Sequence, residues 1–429
     1  MGSSNIRALE IAIEPSYCNM TDGVPSTSGL SFEAVEFIDA SQITPVSETM
    51  QDVEGGRSGY YTSTPEALVT PSGTPVKKGS LTIDFYLRAR GGTATMTGGL
   101  RALLGTRMAL NTKSITSASV SSVATNTITL GSAIAAVGDV IACTPESDGP
   151  TYYAHVSSVS TNTITVNPPL TGLVGSGDTV YVLSDFRLPA RGGDPVAAGS
   201  VSPYPTSTPP TVCLRLTGDG WRQICYGCQL TALTITGTGS DSRAVKMTAT
   251  INVPYATPAS ATTSYPFPSQ SGGRIEHSLA APLVMSSSFT MSVPTSKLST
   301  YPCVDSWTLT LTWTCEGSTC GNSYVGTAPL EATALECTLD LILGGTALQS
   351  TLLAGWMDGS MRGVALGMSA NLGDGEGAAI IIPGAIVTDG SVSTVDLGAG
   401  YTRTHVVLAP GAYALDASGT NPMIQLALA

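Results

Sequence analysis

One strand pattern is written twice in this chain, and any fold proposed for it has to use that pattern twice. Residues 79–106 read GSLTIDFYLRARGGTATMTGGLRALLGT, and residues 335–357 read LECTLDLILGGTALQSTLLAGWM. In the first, Leu81, Ile83, Phe85 and Leu87 alternate with Thr82, Asp84 and Tyr86 before Gly91-Gly92. In the second, Cys337, Leu339, Leu341 and Leu343 alternate with Thr338, Asp340 and Ile342 before Gly344-Gly345. Such alternation marks a strand with one face in a core. An apolar patch follows each glycine pair, at Leu100, Leu103 and Leu104 and at Leu348, Leu352 and Leu353. Its spacing of three to four fits one short helix. Leu81, Ile83, Phe85, Leu87, Leu339, Leu341 and Leu343 are therefore the expected anchors of one structural unit used twice.

Composition points the same way. The 429 residues suffice for two or three domains, and 47 Gly and 27 Pro leave little room for long helices. Charged residues make up only 12%, about half the usual fraction of roughly 25%. A surface built from Ser, Thr, Gly and Ala suits a protein largely covered by copies of itself. The net charge is −12, and from Ala281 onward 11 acids and 3 bases carry −8 of it. That sign argues against gripping nucleic acid, which needs Lys and Arg for phosphate. Met1–Glu10 lacks the charged start and apolar run of a secretory signal, and Ile6 breaks the myristoylation pattern. No apolar run approaches the roughly 18–20 residues of a membrane span. Nine Cys in a chain without an export signal favour reduced thiols made in a cytoplasm.

Taken in order, residues 1–29 are polar and Pro-interrupted, and read as an extended N-terminal arm. Residues 30–110 and 186–253 read as a first, discontinuous domain. It contains the alternating strand Ser31–Ile38, a Gly-tipped hairpin over Ser47–Tyr61 and the first anchor unit. Residues 111–185 read as an inserted small β-barrel with its own repeat, SVATNTITL at 122–130 and SVSTNTITV at 158–166. Thr-Asn-Thr supplies a turn and Ile-Thr-Val or Ile-Thr-Leu a half-buried strand. Residues 254–282, rich in Pro, Ser and Thr, read as a linker. Residues 283–429 form the second domain. Its Cys303–Leu311 matches Cys228–Ile235 with a one-residue slip. The fold class expected is mainly β: two related domains, each with a short helix, plus the inserted barrel.

The first half has a particular order: arm, half-buried strand, Gly-tipped hairpin, LTIDFYLR with its short helix, then DGWRQICYGCQLTALTITGTGSDSRAVKMTATINV. This resembles the tail tube (major tail) protein family of tailed bacteriophages, in a duplicated-domain form. The matching positions are Asp219, Gly220, Arg222, Gly227, Cys228, Leu233, Ile235 and Ala244, with Gly375–Ala385 similar to the family's endings. The resemblance covers most of the chain except the insertion and the linker. It implies β-sandwich or barrel domains whose long hairpins close across neighbours into an inner barrel. With two domains per chain, it implies three-subunit rings of pseudo-sixfold symmetry. Rings stack head to tail, a heterologous contact that builds a filament. The implied protein is a structural virion component of the phage tail, assembled in the host cytoplasm, that conducts DNA during ejection. Its implied partners are further copies of itself, the tail terminator and tail tip proteins, and the tape measure protein in the lumen. DNA passes through without sequence-specific binding, and no membrane is involved. An inserted barrel projecting outward would clash with a contractile sheath, which points to a long non-contractile tail (a siphovirus). The alternative is a phage decoration or receptor-binding β protein contacting host surface glycans.

The chemistry in the sequence is sparse. Cys225-Tyr226-Gly227-Cys228, with Cys315 and Cys320 as a second pair, is the metal candidate, but two strand residues three apart read more simply as small core side chains. Cys315 and Cys320 are alternatively a disulfide. His155, His277 and His405 have no sequence context pairing them with a nucleophile, and no Gly-x-Ser-x-Gly elbow occurs. No enzymatic activity and no cofactor are expected. Asp52, Glu54, Asp358, Asp374 and Glu376 sit in Gly-containing tips and are candidate acids facing the bore or the next ring.

Overall fold

The computed structural model describes residues 6–21, 24–40, 44–45, 48–51, 60–63, 77–87, 98–146, 150–188, 210–238, 244–266, 283–290, 293–297, 304–317, 328–344, 352–354, 357, 359–371, 376–388, 393–396, 402–411 and 422–428. They form a mainly β protein with a closed six-stranded barrel and additional strands. The first half contains β1 (Ile6–Ile13), β2 (Met20–Thr21), β3 (Val24–Pro25), β4 (Glu33–Val35), β5 (Asp39–Ala40), β6 (Thr44–Pro45), β7 (Glu48–Gln51), β8 (Tyr60–Ser63), β9 (Lys77–Tyr86) and α1 (Gly98–Gly105). The insertion contributes β10 (Ala109–Asn111), β11 (Thr116–Val123), β12 (Thr127–Leu130), β13 (Val140–Thr144), β14 (Tyr152–Ser160), β15 (Thr163–Asn167) and β16 (Thr179–Leu188). The first half resumes with β17 (Val212–Gly218), β18 (Trp221–Thr238), β19 (Lys246–Ala256) and β20 (Ser260–Ala261). The second half contains β21 (Leu283–Thr290), β22 (Val293–Lys297), β23 (Val304–Glu316), β24 (Glu331–Gly344), β25 (Arg362–Asn371), β26 (Glu376–Val387), β27 (Ser393–Asp396), β28 (Thr402–Pro410) and β29 (Ile424–Leu428).

The anchor strands fold as their alternation requires. Leu81, Ile83, Phe85 and Leu87 in and after β9, and Leu339, Leu341 and Leu343 in β24, are all buried in one core. After the first anchor, α1 places Leu100, Leu103 and Leu104 in that core. After the second, residues 352–354 are helical; Leu352 is buried and Leu353 faces solvent.

The two halves share one topology. In the first, antiparallel pairs run β1–β17–β18–β19–β9, with β5 and β6 on the far side of β9. In the second they run β21–β25–β26–β28–β24–β23. Chain order matches as well as pairing, so β23 stands where β5 and β6 stand. The likeness of Cys303–Leu311 to Cys228–Ile235 is therefore not the structural repeat: β18 corresponds to β26 and β27. Both segments alternate because both are half-buried strands, and alternation alone does not say which neighbour a strand takes.

The expected arm is partly a core element. β1 pairs with β17 on one edge and β4 on the other, and Leu9 and Ile11 enter the main core. Its run IRALEIAI is apolar on both sides of the pleat, as a covered strand should be, and Glu10 there is held by Arg215 at 3.1 Å. The expected linker also folds in part. β19 runs to Ala256, β20 pairs with Trp221 and Arg222, and the Gly220 N–H donates to Tyr265 Oη at 2.9 Å. Residues 267–282 lie outside the described residues.

The insertion closes as a barrel in the order β11–β12–β15–β14–β13–β16–β11. Its two repeat copies pair with each other, Ile128 opposite Ile164. The barrel is spliced into the first half but is joined to the second. β16 continues past the barrel, and Ser184–Leu188 pairs with β29, which also pairs with β26. Val140, Ala142, Tyr153 and Leu183 of the barrel pack with Ala365, Ala379, Ile381 and Ala427.

Candidate functional site

The C-terminal half of β18 pairs with β23, and that pairing joins the halves edge to edge. Ala232 lies opposite Thr312, Thr234 opposite Thr310, Thr236 opposite Thr308 and Thr238 opposite Ser306. The result is one continuous antiparallel run, β5 and β6, β9, β19, β18, β23, β24, β28, β27. One face carries the core residues Ile83, Ile235, Leu309 and Leu341. The other carries half-buried Thr82, Thr234, Thr308, Thr310 and Thr338 around Asp84 and Asp340. Threonine suits this place, since its branched Cβ fits the pleat while its hydroxyl stays available to water.

The two aspartates occupy the same repeat position and take different partners. Asp84 Oδ1 accepts from Thr248 Oγ1 at 2.7 Å, and Asp340 Oδ1 lies 2.8 Å from His405 Nε2. His405 Nδ1 in turn lies 3.5 Å from Ser393 Oγ. This Ser–His–Asp row was not visible in the sequence, because the three residues meet only through cross-strand pairing. Its geometry is that of a polar ladder: the Ser–His distance is at the limit of a hydrogen bond and Ser393 is exposed. The open groove of the first half, bordered by Ile38, Asp39, Asp219 and Tyr265, includes none of the three.

A buried arginine fastens the seam. Arg107, just past α1, donates from Nε to Leu230 O at 2.8 Å, from Nη1 to Leu330 O at 3.1 Å and from Nη2 to Cys315 Sγ at 3.2 Å. Gln229 Oε1 accepts from the Leu330 N–H at 2.8 Å, and Thr106 Oγ1 from the Leu230 N–H at 3.1 Å. Among the described residues no group of three or more His, Cys, Asp or Glu is placed to hold a metal. Cys225 and Cys228 lie in the main core, where burial pushes the Cys225 thiol up to about 12 and raises Cys228 well above its ordinary value. Cys320, and with it the Cys315–Cys320 pair, lies outside the described residues, as does His277.

Near these thiols a carboxyl is buried. Glu14 accepts from Thr211 Oγ1 at 2.5 Å and from the Gly227 N–H at 3.1 Å. Burial raises its pKa to about 7, against the lowering effect of those bonds. Of the candidate acidic tips, Asp52, Glu54, Asp358 and Asp374 lie outside the described residues. Glu376 begins β26, its backbone opposite Asn371. β7 and β8 pair antiparallel, Gln51 opposite Tyr60, and Gly55-Gly56 between them lies outside the described residues. No protein-family model and no curated protein matches this chain.

Proposed function

We propose that this chain is a structural subunit that polymerises as rings of three into a tube, the tail tube of a long-tailed bacteriophage. The observation carrying this reading is the pair of like-folded halves joined edge to edge into one sheet. A sheet assembled that way still ends in bare edges, and bare edges either recruit another chain or are removed by closure. Closing copies head to tail into a ring leaves none. The sheet's polar face, threonine with Asp84 and Asp340, would then line the hole. The chain's net charge of −12 argues against such a tube gripping DNA phosphate. Contacts between stacked rings, and with the proteins at the two tail ends, would use a second heterologous interface along the tube axis, one that does not close.

The test is electron microscopy with sedimentation of the purified full-length chain over a range of concentrations. Stacked rings or tubes are expected. A compact monomer at the highest concentration overturns the reading, and discrete trimers that never stack favour a decoration or receptor-binding role instead.

A further inference from the structure

We infer that the Ser393–Val395 edge of one copy pairs with the Phe37–Asp39 edge of a second copy, in the antiparallel register of the β18–β23 seam. The inference rests on the tube reading and goes beyond it by naming the two edges and their alignment.

The register comes from the repeat. Asp84 lies opposite Thr248 in β19, and Asp340 opposite Val407 in β28. Two residues back, Lys246 therefore corresponds to His405, and across from them Thr236 corresponds to Ser393. On the other flank, Asp84 lies opposite Asp39 and Asp340 opposite Thr308. Asp39 thus corresponds to Thr308, and Ile38 to Trp307. Inside the chain Thr236 pairs with Thr308, Gly237 with Trp307 and Thr238 with Ser306. Carried across to the corresponding residues, the pairs are Ser393 with Asp39, Thr394 with Ile38 and Val395 with Phe37. Among the described residues β27 pairs only with β28, and β5 only with β9, so both outer edges are available.

The exposure pattern says that this edge wants a cover. Trp307 is 2% exposed, whereas Ile38, at the same repeat position, is 38% exposed. An apolar side chain that the repeat buries stays open only in the half whose seam partner is missing. A groove of about 950 Å³ bordered by Ile38, Asp39, Tyr265 and Pro266 opens beside it. The occupant is a second copy, because the edge complementary to β5 is β27 at the other end of the same sheet. Each copy then offers one edge of each kind, a heterologous contact that closes into a ring.

Cysteine pairs read the register. Ser393→Cys and Asp39→Cys are placed together in the full-length chain, which is assembled, oxidised and run on a non-reducing denaturing gel. Directly opposed antiparallel residues lie about 4.5–5.5 Å apart at Cα, within reach of a disulfide. Covalent oligomers are expected at roughly ten times the yield from either single variant or from the shifted pair Val395→Cys with Asp39→Cys. Independently, Ile38→Asp is expected to leave circular dichroism and thermal unfolding of the monomer unchanged while abolishing assembly, since Ile38 is exposed in the isolated chain. If the unaltered chain assembles but the in-register pair cross-links no better than the shifted pair, or Ile38→Asp assembles normally, this inference falls and the tube reading stands. If the unaltered chain stays monomeric throughout, both fall.

Discussion

Gly237 and Trp307 face each other across the seam so closely that a Cβ on the glycine would lie 2.5 Å from Cε2 of the indole. A glycine inside a strand is ordinarily a weak point, and alanine there would stabilise by about 0.5–1 kcal/mol. Here the sign reverses, because the indole is held in the core and cannot step aside. Gly237→Ala is expected to lower the unfolding free energy by about 1–3 kcal/mol, the usual cost of overpacking. Equilibrium denaturation measures it. Trp307→Phe added to Gly237→Ala should cost less than the sum of the two single changes, because the smaller ring makes room.

Arg107 tests how firmly the halves are tied. Its guanidinium reaches Leu230 O in the first half and Leu330 O in the second. Removing it leaves the buried Leu230 carbonyl short of a donor, at about 1–3 kcal/mol, and the half-buried Leu330 carbonyl at less. Arg107→Met should therefore destabilise by about 3 kcal/mol and broaden the denaturant transition as the halves begin to unfold separately. Arg107→Lys should not restore the loss, because an ammonium cannot span the same acceptors in a planar fork. A single sharp transition with unchanged midpoint in the methionine variant would refute this account.

The anchor strands were legible because their period of two is local: Leu81 to Leu87 and Leu339 to Leu343 need no knowledge of their neighbours. The barrel was legible for the same reason, through its two TNTIT copies. What the sequence did not carry was partnership. Nothing near Thr234 or Thr308 marks them as neighbours, since a threonine-rich alternating strand fits any edge of suitable length. Nothing in the sequence marks Arg107, Gln229, His155 or Gln425 as buried until the fold supplies the groups they bond. β1 reads as part of an arm because Pro15 and Pro25 nearby outweigh its apolar run, whereas the fold pairs it with β17 and buries Leu9 and Ile11. The Ser393–His405–Asp340 row exists only through strand register, and no spacing in the chain announces it.

Glu14 predicts a pH dependence with a definite sign. Its pKa rises from 4.5 in the unfolded chain to about 7 in the folded one, because burial disfavours the charged form. The folded state therefore holds the proton more tightly. The associated stability is full below pH 4.5 and is lost as pH rises through about 7. Across that window the loss approaches about 3 kcal/mol. Glu14→Gln, which keeps the acceptor oxygen for Thr211 and Gly227, should lack this contribution, so its stability relative to the unaltered chain should rise between pH 5 and 8. Urea unfolding at several pH values measures the difference, and a difference that is flat with pH would refute the assignment.

Gln425 decides whether the barrel is fixed to the second half or merely rests on it. Its Oε1 accepts from His155 Nδ1 at 2.8 Å, and its Nε2 donates to Gly138 O at 2.9 Å and to Asp185 Oδ2 at 2.8 Å. All four groups sit where β16 passes from the barrel into its pairing with β29. Asp185 keeps Arg187 at 2.7 Å and Asn111 at 2.9 Å without the glutamine, so the loss falls mainly on His155 Nδ1 and the Gly138 carbonyl. Gln425→Leu is expected to destabilise by about 2 kcal/mol. The more telling readout is hydrogen exchange. Amides in the barrel–body junction at Ser184–Leu188 and Ile424–Leu428 should lose protection, while those at the Ile128–Ile164 pair inside the barrel keep it. Equal loss in both places would mean that the barrel and the second half unfold as one unit, with the junction contributing no separate step.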